Sequence, residues 1–175
     1  MGLRAAPPFR GSSDPLMARA IDEVKRSRGY AVYFSRFGVA VVTWDPTLQA
    51  VHTEAQSWED PSEMAAVLES GLQALTEHGG SRWLADGRSM KVVKQSDQDW
   101  IVHEFCPRAL AAGLKRIALV IPESGLAMTT LDQLVRRLPA ANLEVAYFPT
   151  VEEARSWLAE PPDNPPNGVR ANSIL

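Results

Sequence analysis

Few residues in this sequence are spaced for chemistry, and each candidate also has an ordinary structural use. Ser96, within Lys94-Gln95-Ser96-Asp97-Gln98, is a hydroxyl at the start of a helical pattern. There it reads as an N-cap, with Asp99 three residues on completing a capping-box-like pair. A phosphate on Ser96 would meet the helix N-terminus but also the repulsion of Asp97 and Asp99, so the cap is the expectation. His103 and Cys106 are three apart on one helix and could face the same way. A structural zinc wants four ligands, however, and His52 and His78 lie far off, on a strand and at a helix end. No metal and no cofactor is expected, and Cys106 reads as a small buried apolar residue. Asp86 closes Trp83-Leu84-Ala85-Asp86, at the C-terminal end of a strand, where open α/β sheets present ligands. Its commoner role is to organise the Gly87-Arg88 turn. Asp86 with His103 or Glu104 is the basis of an enzymatic reading, the weakest of three. With no Gly-x-Ser-x-Gly elbow, no Gly-x-Gly-x-x-Gly and no Walker loop, the chain reads as not an enzyme.

These residues belong to one stretch, Ser81 to Gly125, that reads strand, polar connection, helix, strand. Lys115 to Ile121 is a β-branched run typical of a buried strand. Trp100, Ile101, Phe105, Leu110 and Leu114 recur at helical spacing, and Gly113 stands where that helix should stop. Pro107 inside it removes a hydrogen bond and clashes one turn back, which predicts a break near His103 and a crevice beside the sheet.

Before this unit, Asp14-Pro15 opens a short helix carrying Leu16, Ala20, Ile21 and Val24 and ending near Arg28. Strands are expected over Tyr30–Phe34, Val39–Trp44 and Gln49–Trp58, joined by hairpin-length links. In the third, Val51, Thr53 and Ala55 alternate with His52, Glu54 and Gln56, so one face meets solvent or a partner. Asp60-Pro61-Ser62-Glu63 starts a helix that buries Met64, Val67, Leu68, Leu72 and Leu75 and ends at Gly79-Gly80. After the central unit come a helix over Thr129–Leu138, a strand over Leu143–Phe148, and a helix opened by the capping box Thr150-Val151-Glu152-Glu153. The whole is an α/β fold: one mixed sheet, an antiparallel N-terminal ribbon followed by a parallel βαβαβα run, with helices packed on it. Residues 1–14 read as a disordered extension, 15–160 as a single domain, and 161–175 as a proline-rich disordered tail. Met17 is an alternative start, and the final Ser173-Ile174-Leu175 matches the simplest peptide motif read by PDZ grooves.

The totals exclude whole classes of function. At 175 residues, 45% hydrophobic and 22% charged, the chain has the composition of an ordinary globular protein. A net charge of −3 supplies no general attraction to nucleic acid or anionic membrane. Lys115-Arg116 and Arg136-Arg137 read as solvated element ends. One cysteine allows no internal disulfide, and no apolar run approaches a membrane span, so a cytoplasmic location and no membrane insertion are expected.

The order of elements, together with Trp83 to Asp86, Asp97 to Trp100, Pro107 to Lys115, Ile121 to Ser124 and Phe148 to Leu158, resembles the STAS-like fold. That group holds the bacterial anti-sigma-factor antagonists and, more distantly, the ligand-holding lobe of CRAL-TRIO lipid-transfer domains. The wording is similar to that of a group of small bacterial STAS-like proteins, over roughly Tyr30 to Glu160. Phosphorylated antagonists of the group carry Asp-Ser-x-Gly where the central helix begins. This chain keeps the hydroxyl as Ser96 but lacks the acidic residue before it and the glycine after it.

The resemblance implies a regulatory or scaffold domain that acts by contact with another protein and forms, in one version, a homodimer. The working surface is then Arg88, Ser89, Lys91, Lys94, Ser96 and Asp97. The alternative is a small-molecule or lipid-binding module with a pocket near the Pro107 break, lined by Asp86, His103 and Pro107.

Overall fold

A computed structural model describes residues 30–35, 38–55, 61–139, 142–161 and 169–170. The helix expected after Asp14, the Asp60 cap, the Met17 question and the terminal Ser173-Ile174-Leu175 lie outside the described residues. Seven strands form one sheet in chain order: β1 (Tyr30–Ser35), β2 (Gly38–Asp45), β3 (Ala50–Ala55), β4 (Arg82–Asp86), β5 (Arg116–Val120), β6 (Glu144–Phe148) and β7 (Val169–Arg170). β1, β2 and β3 pair antiparallel, β3 to β6 pair parallel, and β7 returns antiparallel to β6. The ribbon followed by a parallel run is therefore as the sequence predicts. β7 is a departure, since it falls in the tail expected to be disordered. The outer edge of β6 offers unpaired backbone groups, and even a weakly apolar dipeptide can take them.

Parallel neighbours taken in chain order require every right-handed crossover on the same face. Helix α1 (Pro61–His78), the composite helix between β4 and β5, and α4 (Gly125–Arg136) accordingly cover one side. There Val51, Trp83, Ile117 and Val145 meet Val67, Leu72, Leu75, Phe105, Cys106 and Ala109, and Tyr147 and Leu119 meet Leu131, Leu134 and Val135. Helix α5 (Val151–Ala159) follows the last parallel strand and lies on the other side, packing Ala154, Trp157 and Leu158 on Leu84, Ala118, Val120, Ala146 and Phe148. Strand alternation decides which side each residue joins: Trp83 and Ala85 face α1, Leu84 and Asp86 face the α5 side.

The composite helix shows what Pro107 does. It runs as α2 (Gln95–Trp100), a π-helical turn (Ile101–Phe105) and α3 (Cys106–Ala111). Without an amide hydrogen, Pro107 cannot bond the carbonyl one turn back, and the backbone widens there instead. The break is where the sequence places it, but among the described residues it opens no crevice against the sheet. Phe105, Cys106 and Ala109 fill the space behind it, with Phe105 edge-on to Trp83 at 5.8 Å and stacked on Trp100 at 5.7 Å. Gly113, at φ 106°, ends α3 as expected.

Of the two remaining helices, one begins where the sequence predicts and one does not. Thr150 accepts the Glu153 amide at 3.2 Å and opens α5 as the capping box foretells. Ser124 accepts from the Ala127 amide and starts α4 at Gly125, a turn earlier than the Thr129 of the sequence reading. Arg116, expected to be solvated, is 3% exposed. Its Nη1 donates to the Glu160 carbonyl at 2.8 Å, its Nε lies 3.0 Å from a Glu144 carboxylate oxygen, and its guanidinium stands 3.9 Å over the Trp157 ring. A strand end becomes interior here because α5 lies across it.

Candidate functional site

The C-terminal ends of β4 and β5 carry the connections on which the sequence candidates cluster. Gly87 donates its amide to the Val120 carbonyl at 3.1 Å, so the chain leaves β4 against β5, and a Cβ at Gly87 would come 2.8 Å from that same oxygen. Residues 87–94 then cross to α2 pinned at two points: Arg88 accepts from the Glu123 amide at 3.2 Å, and Val93 donates to Thr130 Oγ1 at 3.1 Å. Inside, Gln98 Nε2 donates to the Val93 carbonyl at 3.1 Å. The connection is thus tied to the start of α4, and the two form one surface.

On that surface Arg88, Ser89, Lys91, Lys94 and Ser96 are exposed, whereas Asp97 is 8% exposed and turned inward. Ser96 is not the cap. Helix α2 begins at Gln95, and its N-cap is Lys94, in extended conformation, whose side chain makes no capping hydrogen bond. Ser96 sits within the first turn, where its hydroxyl donates to Asp97 Oδ1 at 3.4 Å. Asp99 pairs with Arg137 at 2.5 Å and accepts from Gln95 at 2.9 Å, instead of completing a capping box.

Sequence reasoning missed two residues of this surface. Val92, on the connection, is 40% exposed, and Leu126, in the first turn of α4, is 66% exposed. The signal was present: Val92 and Val93 are adjacent in an extended segment, so burying Val93 turns Val92 outward. Likewise, with Ala127, Leu131, Leu134 and Val135 facing the core, Leu126 falls off the apolar stripe of α4.

Asp86 does organise the turn after β4. Its carboxylate accepts the Arg88 backbone amide at 3.2 Å and holds the guanidinium at 3.0 Å (Nε) and 2.7 Å (Nη2). Burial alone would push this carboxyl up; the Arg88 hydrogen bonds and charge more than offset it, leaving Asp86 below the usual carboxylate range. Beside it on the same face stand His52 and Glu54, the latter in register with Asp86, and Glu152 adds its field at Arg88. Burial pushes the His52 imidazole down, and the fields of Asp86 and Glu54 pull part of the way back.

The proposed pocket trio does not assemble. Asp86 faces the α5 side, while His103 and Pro107 are exposed on the helical layer of the opposite face. The strand period of two forbids the meeting, since Trp83 already occupies the α1 side and Asp86 must share the side of Leu84. Glu104 is exposed with His103, so the enzymatic pairing with Asp86 fails for the same reason. His103 and Cys106 also part company: Cys106 is 3% exposed, His103 is exposed, and the π turn between them alters the angular step. Among the described residues no group of three or more His, Cys, Asp or Glu is arranged to hold a metal. Nor is any described helix long and apolar enough to cross a membrane.

Comparison with known families matches residues 51–159 to the family described as SpoIIAA-like. No curated protein and no solved structure matches.

Proposed function

The chain belongs to the SpoIIAA-like family, a STAS-like group whose domains in general act as non-enzymatic regulators through protein contacts, and from that premise we propose that this domain binds a partner protein with the surface made by residues 87–97 and the start of α4. The observation that carries the reading is the pair Val92 and Leu126, exposed on the connection 87–94 and on the first turn of α4, to which that connection is hydrogen-bonded through Thr130 and, just before the helix, Glu123. Exposed apolar side chains rimmed by polar ones mark contact sites when they occur together. Arg88, Ser89, Lys91, Lys94 and Ser96 form that rim. The rigid part of the site is the turn, where Asp86 fixes the backbone through the Arg88 amide and leaves half of the Arg88 side chain open to a partner.

The test compares proteins captured from the native host by the wild-type chain and by a Val92→Asp, Leu126→Asp variant. Both positions are exposed, so the melting temperature should stay within about 2 °C of wild type. A desolvated charge at the centre of an interface costs about 2–4 kcal/mol, so capture of the partner should fall at least about tenfold. Unchanged capture would remove this surface from the function.

A further inference from the structure

His52 is a buried titratable group to which neither the fold nor the proposed surface gives a role. Its Nε2 atom is shut off from solvent and has no hydrogen-bond partner among the described residues. The charges that act on it come from every element around it: Asp86 of β4, Asp45 of β2, Arg155 of α5 and, on β3 itself, Glu54. Beyond Asp86 stands Arg88, itself in the field of Glu152. Across the β2–β3 ladder, Thr43 donates to the His52 backbone carbonyl at 3.5 Å. In an imidazolium both ring nitrogens are donors, and a charged donor buried without an acceptor is costly.

Of the three carboxylates, two are poorly suited to take that donor. Glu54 is exposed, so water weakens its attraction for a buried group. Asp45 already accepts the amides of Thr47 and Leu48 and pairs at 2.6 Å with Arg155, whose charge repels another cation. Asp86 is 5% exposed, buried as Nε2 is, but its oxygens are full. A carboxylate has about four lone-pair sites. They are taken by the Arg88 backbone amide, by Arg88 Nε across both oxygens and by Nη2. A further donor must displace one of these. The backbone amide is fixed, since the Gly87 amide bonds Val120 and the Arg88 carbonyl bonds Glu123. The guanidinium is half exposed and passes into water at little cost.

We infer that His52 and Arg88 compete for Asp86, so that protonation of the imidazole releases the Arg88 guanidinium while the backbone turn stays in place. One proton comes from solvent to His52, and Asp86 and Arg88 keep their charges. Burial holds the folded imidazole below 6.5, so the guanidinium is held above that pH and released as pH falls through the lower folded value. Asp86, below 3.8, stays ionised through this step. The exchange does not depend on the function proposed for residues 87–97, although it would change how that surface presents Arg88.

The experiment is NMR on the full chain labelled with nitrogen-15 and carbon-13, from about pH 7.5 to 4.5, the range in which imidazoles titrate. The His52 ring, the Asp86 carboxyl carbon and the Arg88 Nε–H are followed together. The Arg88 Nε–H should move with the His52 midpoint while the Asp86 carboxyl carbon stays that of an ionised group. Once released, it should exchange with water about tenfold faster than in a His52→Gln variant at the same pH, as loss of a charge-assisted hydrogen bond predicts. The variant's amide spectrum at pH 7.5 shows whether it is folded; if it is not, the wild-type midpoints decide alone. An Arg88 signal that stays still while His52 titrates overturns the proposal. So does one that follows the Asp86 carboxyl instead, or that moves equally in the folded variant.

Discussion

Ser96 illustrates how much one residue's role depends on where a helix begins. Its sequence context is that of a cap, with a carboxylate three residues on, yet the helix starts two residues earlier and the hydroxyl is left in the first turn. A cap lost to alanine costs about 1 kcal/mol; an exposed first-turn serine costs a few tenths at most. Ser96→Ala should therefore leave the thermal midpoint within about 1 °C, whereas a cap would shift a domain of this size by about 2–4 °C. Thermal melts of Ser96→Ala and Ser96→Asp decide it, and a loss in the larger range would reinstate the cap. The hydroxyl is then free of structural duty, and its place is on the surface proposed to meet a partner. Asp97, counted with that surface from sequence, is instead committed inward.

At the scale of elements, the approach of α1 to the sheet depends on Gly71. A Cβ there would overlap the six-membered ring of the Trp83 indole and come 3.2 Å from Val51 Cγ1. Trp83 cannot withdraw, because its Nε1 donates to Thr53 Oγ1 at 3.0 Å and its ring is held by Phe105. In an open helix, Gly to Ala would stabilise by about 1 kcal/mol. Overpacking a filled core costs about 1–3 kcal/mol, so Gly71→Ala should be net destabilising despite better propensity. Chemical denaturation measures the sign directly, and a stabilised variant would mean that α1 can lift from Trp83 at little cost.

For the whole molecule, the charged group on the α5 side of the sheet predicts two steps in stability against pH. His52 is held below its ordinary value of 6.5 by burial, which outweighs the opposing fields of Asp86, Glu54 and Asp45 and is joined by that of Arg155. As pH falls through 6.5 the unfolded chain takes up the proton before the folded one does. Stability is therefore full above that pH and declines below it, until the folded imidazole also titrates. Asp45 and Asp86 carry folded values below 3.8: burial raises both, but backbone amides with Arg155 at Asp45, and Arg88 at Asp86, lower them further. Their contribution is present above that pH and is lost in a second step as pH falls below it. Thermal melts from pH 7.5 to 3 should show both steps, and His52→Gln should flatten the upper one alone. An upper slope unchanged in that variant would assign it to another group.

Much of this arrangement was decided locally and was legible in the chain. The β-branched run of β5, the alternation along β3, the apolar stripe of α1, the stop at Gly113 and the Thr150 box depend on neighbours within a few residues, so the order of elements and the α/β class follow from sequence. Pro107 belongs with them, because the missing amide hydrogen acts on its own helix. What the sequence could not determine was which side of the sheet each residue meets and what lies across it. Asp86 was separated from His103 and Pro107 by the strand period together with the helices' side of the sheet. Arg116 became interior only because α5 crosses it, and the β6 edge acquired a partner from a tail with no local reason to be a strand. Val92 and Leu126 became a surface for a related reason: each is an ordinary exposed residue of its own segment, and only the hydrogen bonds from the connection 87–94 to Glu123 and Thr130 tie the segment of one to the helix of the other.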